Sequence, residues 1–297
     1  MSFIRLGLLT LVTMLCFAGN SVLCRLALRQ TAIDAASFTS VRLVSGALML
    51  AFLIYARQRL QPNASTVSGH AALPGGNWIS ALALFVYAAA LSFSYSDLST
   101  GIGALLLFGA VQATMILTGL WFGERLSGRQ TVGMLVALTG VVALLLPGLD
   151  APPLGSAVLM LASGAAWGVY SLRGRGVGDP TRDTAGNFLR AAGLSVLLSG
   201  LFLDRLQFDA KGVLFALLSG AVTSGIGYAL WYAVLPELTR TRAATVQLSV
   251  PVLAALAGAV FVQEPITLQF VLTSLAVLGG IAMVVLYKHP APAKPLP

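Results

Sequence analysis

Charged residues are scarce in this chain. Lys, Arg, Asp and Glu together make up 9% of its 297 residues, whereas apolar types make up 57%. A soluble globular protein has roughly a quarter of its residues charged. A water-facing surface cannot be built from this composition, so a water-soluble fold is excluded. The composition is typical of a protein that lies in a lipid bilayer.

Residues suited to catalysis or metal binding are also few. The two histidines, His70 and His289, lie outside the apolar runs, and no H-E-x-x-H motif occurs. Intramembrane proteolysis would need a buried Ser/His pair, two in-span aspartates or a metal motif. Cys16 and Cys24 are separated by about 12 Å of helical rise, too far for a disulfide. We therefore expect no enzymatic activity, no cofactor and no metal site.

Acidic residues are missing from the middle of every apolar run. A proton-coupled antiporter commonly uses an in-span carboxylate as a proton relay, so this absence favours facilitated movement down a gradient. No lysine lies deep in a run either, which argues against phosphorylated substrates that need a cationic partner. The acidic residues at run ends or between runs are Asp34, Asp97, Glu124, Asp150, Asp179, Asp183, Asp204, Asp209, Glu237 and Glu264.

What the chain does contain is about ten apolar runs of roughly 18 or more residues, each long enough to cross a membrane as a helix. Runs such as VGMLVALTGVVALLLPG show none of the alternation that barrel strands require. We predict an all-α polytopic membrane protein surrounded by lipid. The runs cover residues 4–26, 35–56, 77–95, 100–122, 130–147, 153–172, 185–203, 211–234, 242–262 and 268–287.

The net charge of +8 and the pI of about 10 reflect where the basic residues lie. If successive runs alternate sides, one face receives most of them, and the other receives Arg25, Arg29, Arg205 and Lys211. This positive-inside bias predicts cytoplasmic termini in a bacterial inner membrane protein, and no nucleic-acid partner. The richer face receives Arg5, Arg57, Arg59, Arg125, Arg129, Arg173, Arg175, Arg182, Arg240, Arg242, Lys288 and Lys294.

One segment recurs in the two halves of the chain. WFGERLSGRQ at residues 121–130 aligns with FVQEPITLQF at 261–270, with Glu124 and Glu264 in register. Upstream, AGNS at 18–21 pairs with WGVY at 167–170. Five runs separate the glutamates, and an odd number places them on opposite faces of the membrane. Two inverted five-helix halves are typical of transporters, although chance similarity among apolar helices is the alternative.

The chain resembles a known family through these segments. TGIGALLLFGAVQATMILTGLWFGERLSGRQTVGMLVALTGVVALL and TRAATVQLSVPVLAALAGAVFVQEPITLQFVLTSLAVLGGIAMVVL are similar to the two EamA-type copies of the drug/metabolite transporter superfamily. The general likeness is greatest to YddG-type aromatic amino acid exporters. The resemblance implies ten helices around a central cavity lined mainly by helices 1, 3, 4, 6, 8 and 9.

This likeness also divides the chain. We expect repeats over residues 1–148 and 149–288, followed by a cytoplasmic tail over 289–297. The second copy has a proline in its fourth helix, Pro251, whereas the first has Val111 and Gln112 near the corresponding place. The two halves are therefore not expected to bend alike.

Polar side chains inside a span are costly, so they are candidates for function. Asn20, Gln112 and Gln247 are amides in three helices that the family places around the cavity. A structural role in joining helices is the alternative for each.

Aromatic residues form a second set of candidates. Tyr228, Trp231 and Tyr232 share one helical face by their spacing, as do Trp167 and Tyr170. Tyr87 lies in the third run with Tyr95 nearby. Residues near span ends can instead form interfacial belts. Trp167 and Tyr228 lie deeper, so we expect them to form a wall for a substrate side chain.

Two arginines and two glutamates occupy equivalent positions in the halves. Arg42 and Arg190 are in-span cations that can hold a substrate carboxylate or, as we expect, brace the fold against helix-end carbonyls or loop acids. Glu124 and Glu264 are expected to accept N–H groups at the start of the next helix. The sequence thus predicts a monomeric carrier that exports small amphipathic metabolites, including aromatic amino acids, by alternating access as a uniporter. The alternatives are a proton-coupled exporter of lipophilic drugs and, from SGIGYALWY at 224–232, a channel.

Overall fold

A computed structural model describes residues 1–60, 75–123, 125–146, 151–174, 179–238 and 240–286, with the backbone alone at 240–242 and 244. This part of the chain is helical and contains no strand. Seven uninterrupted helices come first: α1 (Phe3–Gln30), α2 (Ala35–Leu60), α3 (Trp78–Tyr95), α4 (Thr100–Trp121), α5 (Gly128–Leu145), α6 (Leu154–Arg173) and α7 (Pro180–Leu201).

The next two helices change geometry along their length. Helix α8 is α-helical over Ala210–Leu217, π-helical over Leu218–Ile226 and α-helical again over Gly227–Val234. Helix α9 consists of Arg240–Gln247 and Ser249–Ala257 and ends in a π-helical turn, Gly258–Val262. Helix α10 covers Leu268–Leu286.

The predicted polytopic helical class is confirmed. Nine helical segments in the described ranges are long and apolar enough to cross a membrane. Helix α7 is the exception, because Asp183, Asn187 and Arg190 make it more polar. The surface of the bundle is apolar, since Phe3, Trp121 and Leu201 are 89%, 89% and 81% exposed. Such a surface is suited to lipid.

Several predicted boundaries were wrong. Helix α1 continues to Gln30 and α2 to Leu60, because charged residues at a span end can extend beyond the hydrocarbon core. Helix α7 begins at Pro180 rather than 185. Its start follows from local capping: Asp179 accepts hydrogen bonds from the backbone of Thr181 and Arg182, and proline is favourable in the first turn.

The helices pack in a pattern that repeats after a shift of five. Helix α1 packs against α8 and α9, and α6 packs in the same way against α3 and α4. Helix α2 packs against α7, and α5 against α10. The contacts that a helix of one half makes are therefore matched by those of its counterpart in the other half, as a twofold arrangement requires.

The contact between α5 and α10 shows this relation at single residues. A Cβ atom on Gly140 would lie 2.9 Å from a methyl of Val277, and one on Gly280 would lie 2.9 Å from the Cβ of Ala137. Positions 137 and 277, like 140 and 280, are 140 residues apart. The same glycine contact is thus made once from each helix, which holds the two backbones close together.

Candidate functional site

Asn20 joins three helices near the middle of the bundle. Its Nδ2 donates to the hydroxyl of Tyr87 on α3 at 3.1 Å. Its Oδ1 accepts from Ser219 Oγ at 2.7 Å and Thr223 Oγ1 at 3.4 Å, both on α8. Asn20 is therefore a hydrogen-bond hub between α1, α3 and α8, and it also lines a cavity.

Trp167 is the centre of an aromatic cluster. Its ring centroid lies 4.9 Å from Tyr87 and 4.9 Å from Tyr228, and it stacks on Tyr170 at 5.5 Å. Phe17 on α1 meets Trp167, Tyr228 and Trp231 edge-on. Sequence analysis missed Phe17, although its spacing of three from Asn20 places both on one helical face.

Two neighbouring cavities share the walls made by Phe17, Trp167 and Tyr228. The first, the central cavity, is lined by residues of α1, α3, α4, α6 and α8, including Asn20 and Tyr87. The second extends towards the start of α9 and includes Trp231, Tyr232 and Gln247. Seven predicted site residues therefore line these cavities: Asn20, Tyr87, Trp167, Tyr228, Trp231, Tyr232 and Gln247.

Two predicted site residues lie beside them. Tyr170 lines a separate cavity at the end of the bundle formed by Asn77, Arg173 and Asp183, which we call the Arg173 end. Gln112 is 2% exposed on α4, and its Nε2 has no hydrogen-bond partner among the described residues. Neither lines the two shared-wall cavities.

Arg42 is 1% exposed, and its charge has no counter-ion among the described residues. Its Nη2 donates to the Tyr87 hydroxyl at 3.0 Å, and its Cζ lies 5.2 Å from the centroid of that ring. Its Nε and Nη1 have no hydrogen-bond partner in the described part of the chain. This differs from the brace that we expected, because the guanidinium points at a cavity-lining tyrosine rather than at a carbonyl or an acid.

Arg190 on α7 has the contacts that a brace requires. Its Nη1 donates to the carbonyl of Gly75 at 2.7 Å and of Gly186 at 2.9 Å. Its Cζ lies 5.9 Å from the ring centroid of Trp78. It therefore ties α7 to the start of α3, and the two equivalent arginines have different environments.

Glu264 lies at the opposite end of the bundle, which we call the Arg25 end. Its Oε1 accepts from Arg25 Nε at 2.9 Å, and its Oε2 from the backbone N of Thr100 at 2.7 Å. The expectation that it caps the next helix was wrong, since Thr100 starts α4 and not α10. Glu124, its counterpart, lies outside the described residues.

Arg25 was counted among the charges of one membrane face, but it is a buried part of α1. It is 8% exposed, and its Nη1 donates to the carbonyls of Tyr95 at 2.8 Å and Ser96 at 2.9 Å. It therefore satisfies the carbonyl end of α3 and neutralises Glu264 at the same time. A larger cavity at this end is lined by Arg25, Asp97 and Glu264 among others.

Pro251 lies one turn beyond a break in α9. The regular helix stops at Gln247 and resumes at Ser249, and Leu248 makes a short turn back to Thr245. Proline has no N–H for the carbonyl four residues earlier, which is that of Gln247. The break directly follows Gln247, which lines the second cavity.

Comparison with known proteins identifies the family. The model of the EamA-like transporter family matches the chain twice, over residues 5–146 and 154–286. The chain belongs to the EamA-like transporter family. It is therefore a multi-pass membrane transporter of the drug/metabolite transporter superfamily and not an enzyme.

Relatives of this EamA-like transporter are found in bacteria and archaea. An uncharacterized protein of Pseudomonas aeruginosa is 56% identical over 280 residues, covering 94% of each chain. An uncharacterized transporter of Archaeoglobus fulgidus is 28% identical, covering 67% of this chain and 73% of its own. A protein of Escherichia coli named "Probable amino-acid metabolite efflux pump" is 26% identical, covering 60% of this chain and 65% of its own.

The crystal structure of another protein aligns with this chain at a TM-score of 0.66 and 19% identity, covering 96% of this chain and 98% of the other. The fold is therefore one already seen in a solved protein. At this identity the likeness concerns the fold alone.

Proposed function

We propose that this EamA-like transporter exports small amphipathic metabolites, amino acids including aromatic ones among them, across the bacterial inner membrane. The observation that carries the proposal is the central cavity, where aromatic walls meet buried hydrogen-bonding groups from several helices. An aromatic wall packs against an apolar side chain, while the polar groups orient the rest of the substrate.

Alternating access between two inverted halves is the transport mechanism that we propose. The contacts of α1 with α8 and α9, matched by those of α6 with α3 and α4, support it. The buried pair of Arg25 and Glu264 would hold the Arg25 end closed, and we assign this end to the periplasmic side from the positive-inside bias. Both termini would then be cytoplasmic.

The name of the Escherichia coli relative supports amino acids as the substrate class. Unpaired buried polar groups support the same choice over lipophilic drugs, which have fewer hydrogen bonds to offer. The proposal also includes uniport, since in the described residues no acidic side chain lines either shared-wall cavity. We further propose that the protein acts as a monomer.

Counterflow in proteoliposomes tests this function. Vesicles loaded with unlabelled phenylalanine are diluted into labelled phenylalanine, and transient uptake above equilibrium is expected for a carrier. A panel of leucine, glucose and a lipophilic cation then gives the substrate class. Linear, non-saturating flux would indicate a channel, and counterflow with the lipophilic cation alone would indicate a drug exporter. Protein-free vesicles are the control.

A further inference from the structure

A positive charge lies buried beside the central cavity without a counter-ion among the described residues. Arg42 is 1% exposed, and among the described residues only Nη2 of its guanidinium nitrogens has a partner, the Tyr87 hydroxyl. A buried charge is costly unless it is paired and hydrogen-bonded. A side chain that stays both buried and incompletely paired is therefore suited to a ligand that supplies the missing acceptors.

Other unpaired groups lie close by on α8. The hydroxyls of Ser224 and Tyr228 are buried without a hydrogen-bond partner in the described part of the chain, and both residues line the central cavity. Gly220, one turn before Ser224, packs against the backbone carbonyl of Arg42, so this part of α8 and Arg42 are in contact. In the described part of the chain, the lining of the central cavity includes no Asp or Glu. The central cavity thus offers hydrogen-bond donors, and the positive charge of Arg42 lies next to its Tyr87 wall.

We propose that Arg42 binds the carboxylate of the substrate, so that the transported class is carboxylates with an apolar side chain, α-amino acids in particular. A guanidinium matches a carboxylate in charge and in planar geometry. The rings of Trp167 and Tyr228, 4.9 Å apart by centroid, provide the wall for the side chain. Their faces also attract an α-ammonium group. This inference rests on the proposed function and names the group that the site recognises.

Arg190 provides the matched comparison within the same chain. It occupies the equivalent position in the other half, but its Nη1 is satisfied by the carbonyls of Gly75 and Gly186. A role in the scaffold accounts for these contacts. The same residue type therefore has two environments, and a substitution at each position separates a ligand-binding role from a structural one.

The experiment compares four ligands that differ by one group: phenylalanine, phenylalaninamide, 3-phenylpropionate and phenethylamine. Flux and thermal stabilisation of the purified full-length protein are measured for the wild type, Arg42→Gln, Arg42→Lys and Arg190→Gln. We expect the wild type to prefer both carboxylates over the amide and the amine. Arg42→Gln should reduce the preference for phenylalanine over phenylalaninamide about 10- to 100-fold, Arg42→Lys less, and Arg190→Gln not at all.

Equal loss for all four ligands in Arg42→Gln, or a wild type that does not distinguish acid from amide, would overturn the assignment. If Arg42→Gln does not fold, the assignment is tested by the ligand preferences of Arg42→Lys and of the wild type. A different result would contradict the proposed transport function and leave the binding role of Arg42 standing. In that case carboxylates would raise the melting temperature of the wild type but not that of Arg42→Gln, and no ligand would show saturable flux.

Discussion

The carboxylate of Glu264 holds the guanidinium of Arg25, 239 residues earlier in the chain, at 2.9 Å. Both side chains are largely buried, with exposures of 14% and 10%. Through them the end of α1, the carbonyl end of α3, the first turn of α4 and the turn before α10 are joined at one point. A single buried pair thus ties four helix ends together at the Arg25 end.

Neutralising this pair is expected to open the Arg25 end. In Glu264→Gln the amide oxygen still caps Thr100, but Arg25 loses its counter-ion, and breaking a buried pair in this way costs about 3 to 5 kcal/mol. Cys24, which is 0% exposed, is the natural reporter. In a Cys16→Ser background, Cys24 of the variant should react with a polar maleimide several-fold faster than in the parent.

The control for this experiment is Glu237→Gln. Glu237 is an exposed carboxylate that contacts the N-terminal amine and not Arg25. Its variant should be labelled at the parent rate. Unchanged labelling of Cys24 in Glu264→Gln would mean that the pair is a static brace and that opening occurs elsewhere.

The aromatic cluster should select substrates by size. Trp167→Ala removes the ring at the centre of the cluster, and Tyr228→Ala removes the facing wall. We expect flux of phenylalanine to fall more than flux of alanine, because the lost packing grows with the substrate side chain. The initial rates of both substrates are compared at equal amounts of folded protein.

Phe93→Ala is the matched control for the aromatic cluster. Phe93 pairs with Phe202 at 5.4 Å and lines neither shared-wall cavity. Phe93→Ala should leave the ratio of the phenylalanine rate to the alanine rate unchanged. A uniform loss for large and small substrates in Trp167→Ala would assign that ring to the packing of the bundle.

Gly220 is expected to tolerate no side chain. A Cβ atom there would overlap with Ser45 Oγ and with the backbone carbonyl of Arg42, which cannot move without shifting α2. Gly220→Ala should therefore lower the yield of folded protein and its melting temperature. Gly193→Ala on α7 meets nothing within 4 Å and should be neutral or slightly stabilising, since alanine favours helix. Equal melting temperatures would show that α2 and α8 pack more loosely than described.

Transport of a zwitterion should respond little to proton or electrical gradients. No described acidic residue lines the shared-wall cavities, and a zwitterion carries no net charge through the membrane potential. Labelled substrate in proteoliposomes should equilibrate in the same way with or without a pH step or a potassium diffusion potential. Accumulation against the gradient in either condition would contradict uniport, and Asp97 and Glu264 would be the first residues to neutralise.

Asp34 is expected to give the fold a measurable sensitivity to acid. Burial acts to raise the pKa of its carboxyl group, but hydrogen bonds from Gln207, Ser37 and Ala36 outweigh burial and hold the pKa below its ordinary value. A lowered pKa in the folded state stabilises the fold above the unfolded pKa of about 3.9 and ceases to do so as pH falls through the lower value.

Asp34→Asn should therefore melt at a lower temperature than the wild type at pH 7. The difference should narrow below about pH 4, where the Asp34 carboxyl group of the unfolded chain takes up a proton, and be lost as pH falls through the lower pKa of the folded state. Thermal unfolding in detergent at several pH values checks this. A difference that is constant with pH would assign the effect to the geometry of the turn and not to the charge of Asp34.

The parts of the site that the sequence predicts are those set by helical periodicity. Trp167 and Tyr228 could be predicted as wall residues because the sequence of a single run shows how deep a residue lies and which residues share its helical face. Arg25 was missed because its place near a run end suggested a charge exposed at the membrane face, and its partner is 239 residues away. The lack of an acid partner for Arg42 among the described residues depends on what α3 and α8 bring to it, which no local pattern encodes.

The interruptions of α8 and α9 could be anticipated only in part. Pro251 marks a helix that cannot be regular, and α9 breaks at Leu248. The π-helical stretch Leu218–Ile226 has no comparable marker. It contains glycines, Gly220 and Gly225 among them, but glycine also occurs in the regular helices of this chain. Such a stretch shifts the angular position of the residues that follow, Tyr228 among them.

The glycine contact between α5 and α10 has the form of an isologous interface, in which Gly140 meets position 277 and Gly280 meets position 137. In a homodimer of five-helix chains, one gene would specify both sides of that surface, and any substitution would appear twice. Here both sides belong to one polypeptide, so each can change alone. A single chain can therefore keep symmetric packing between α5 and α10 while the environments of Arg42 and Arg190 diverge. Arg42 has no acid partner among the described residues, whereas Arg190 is satisfied by carbonyls.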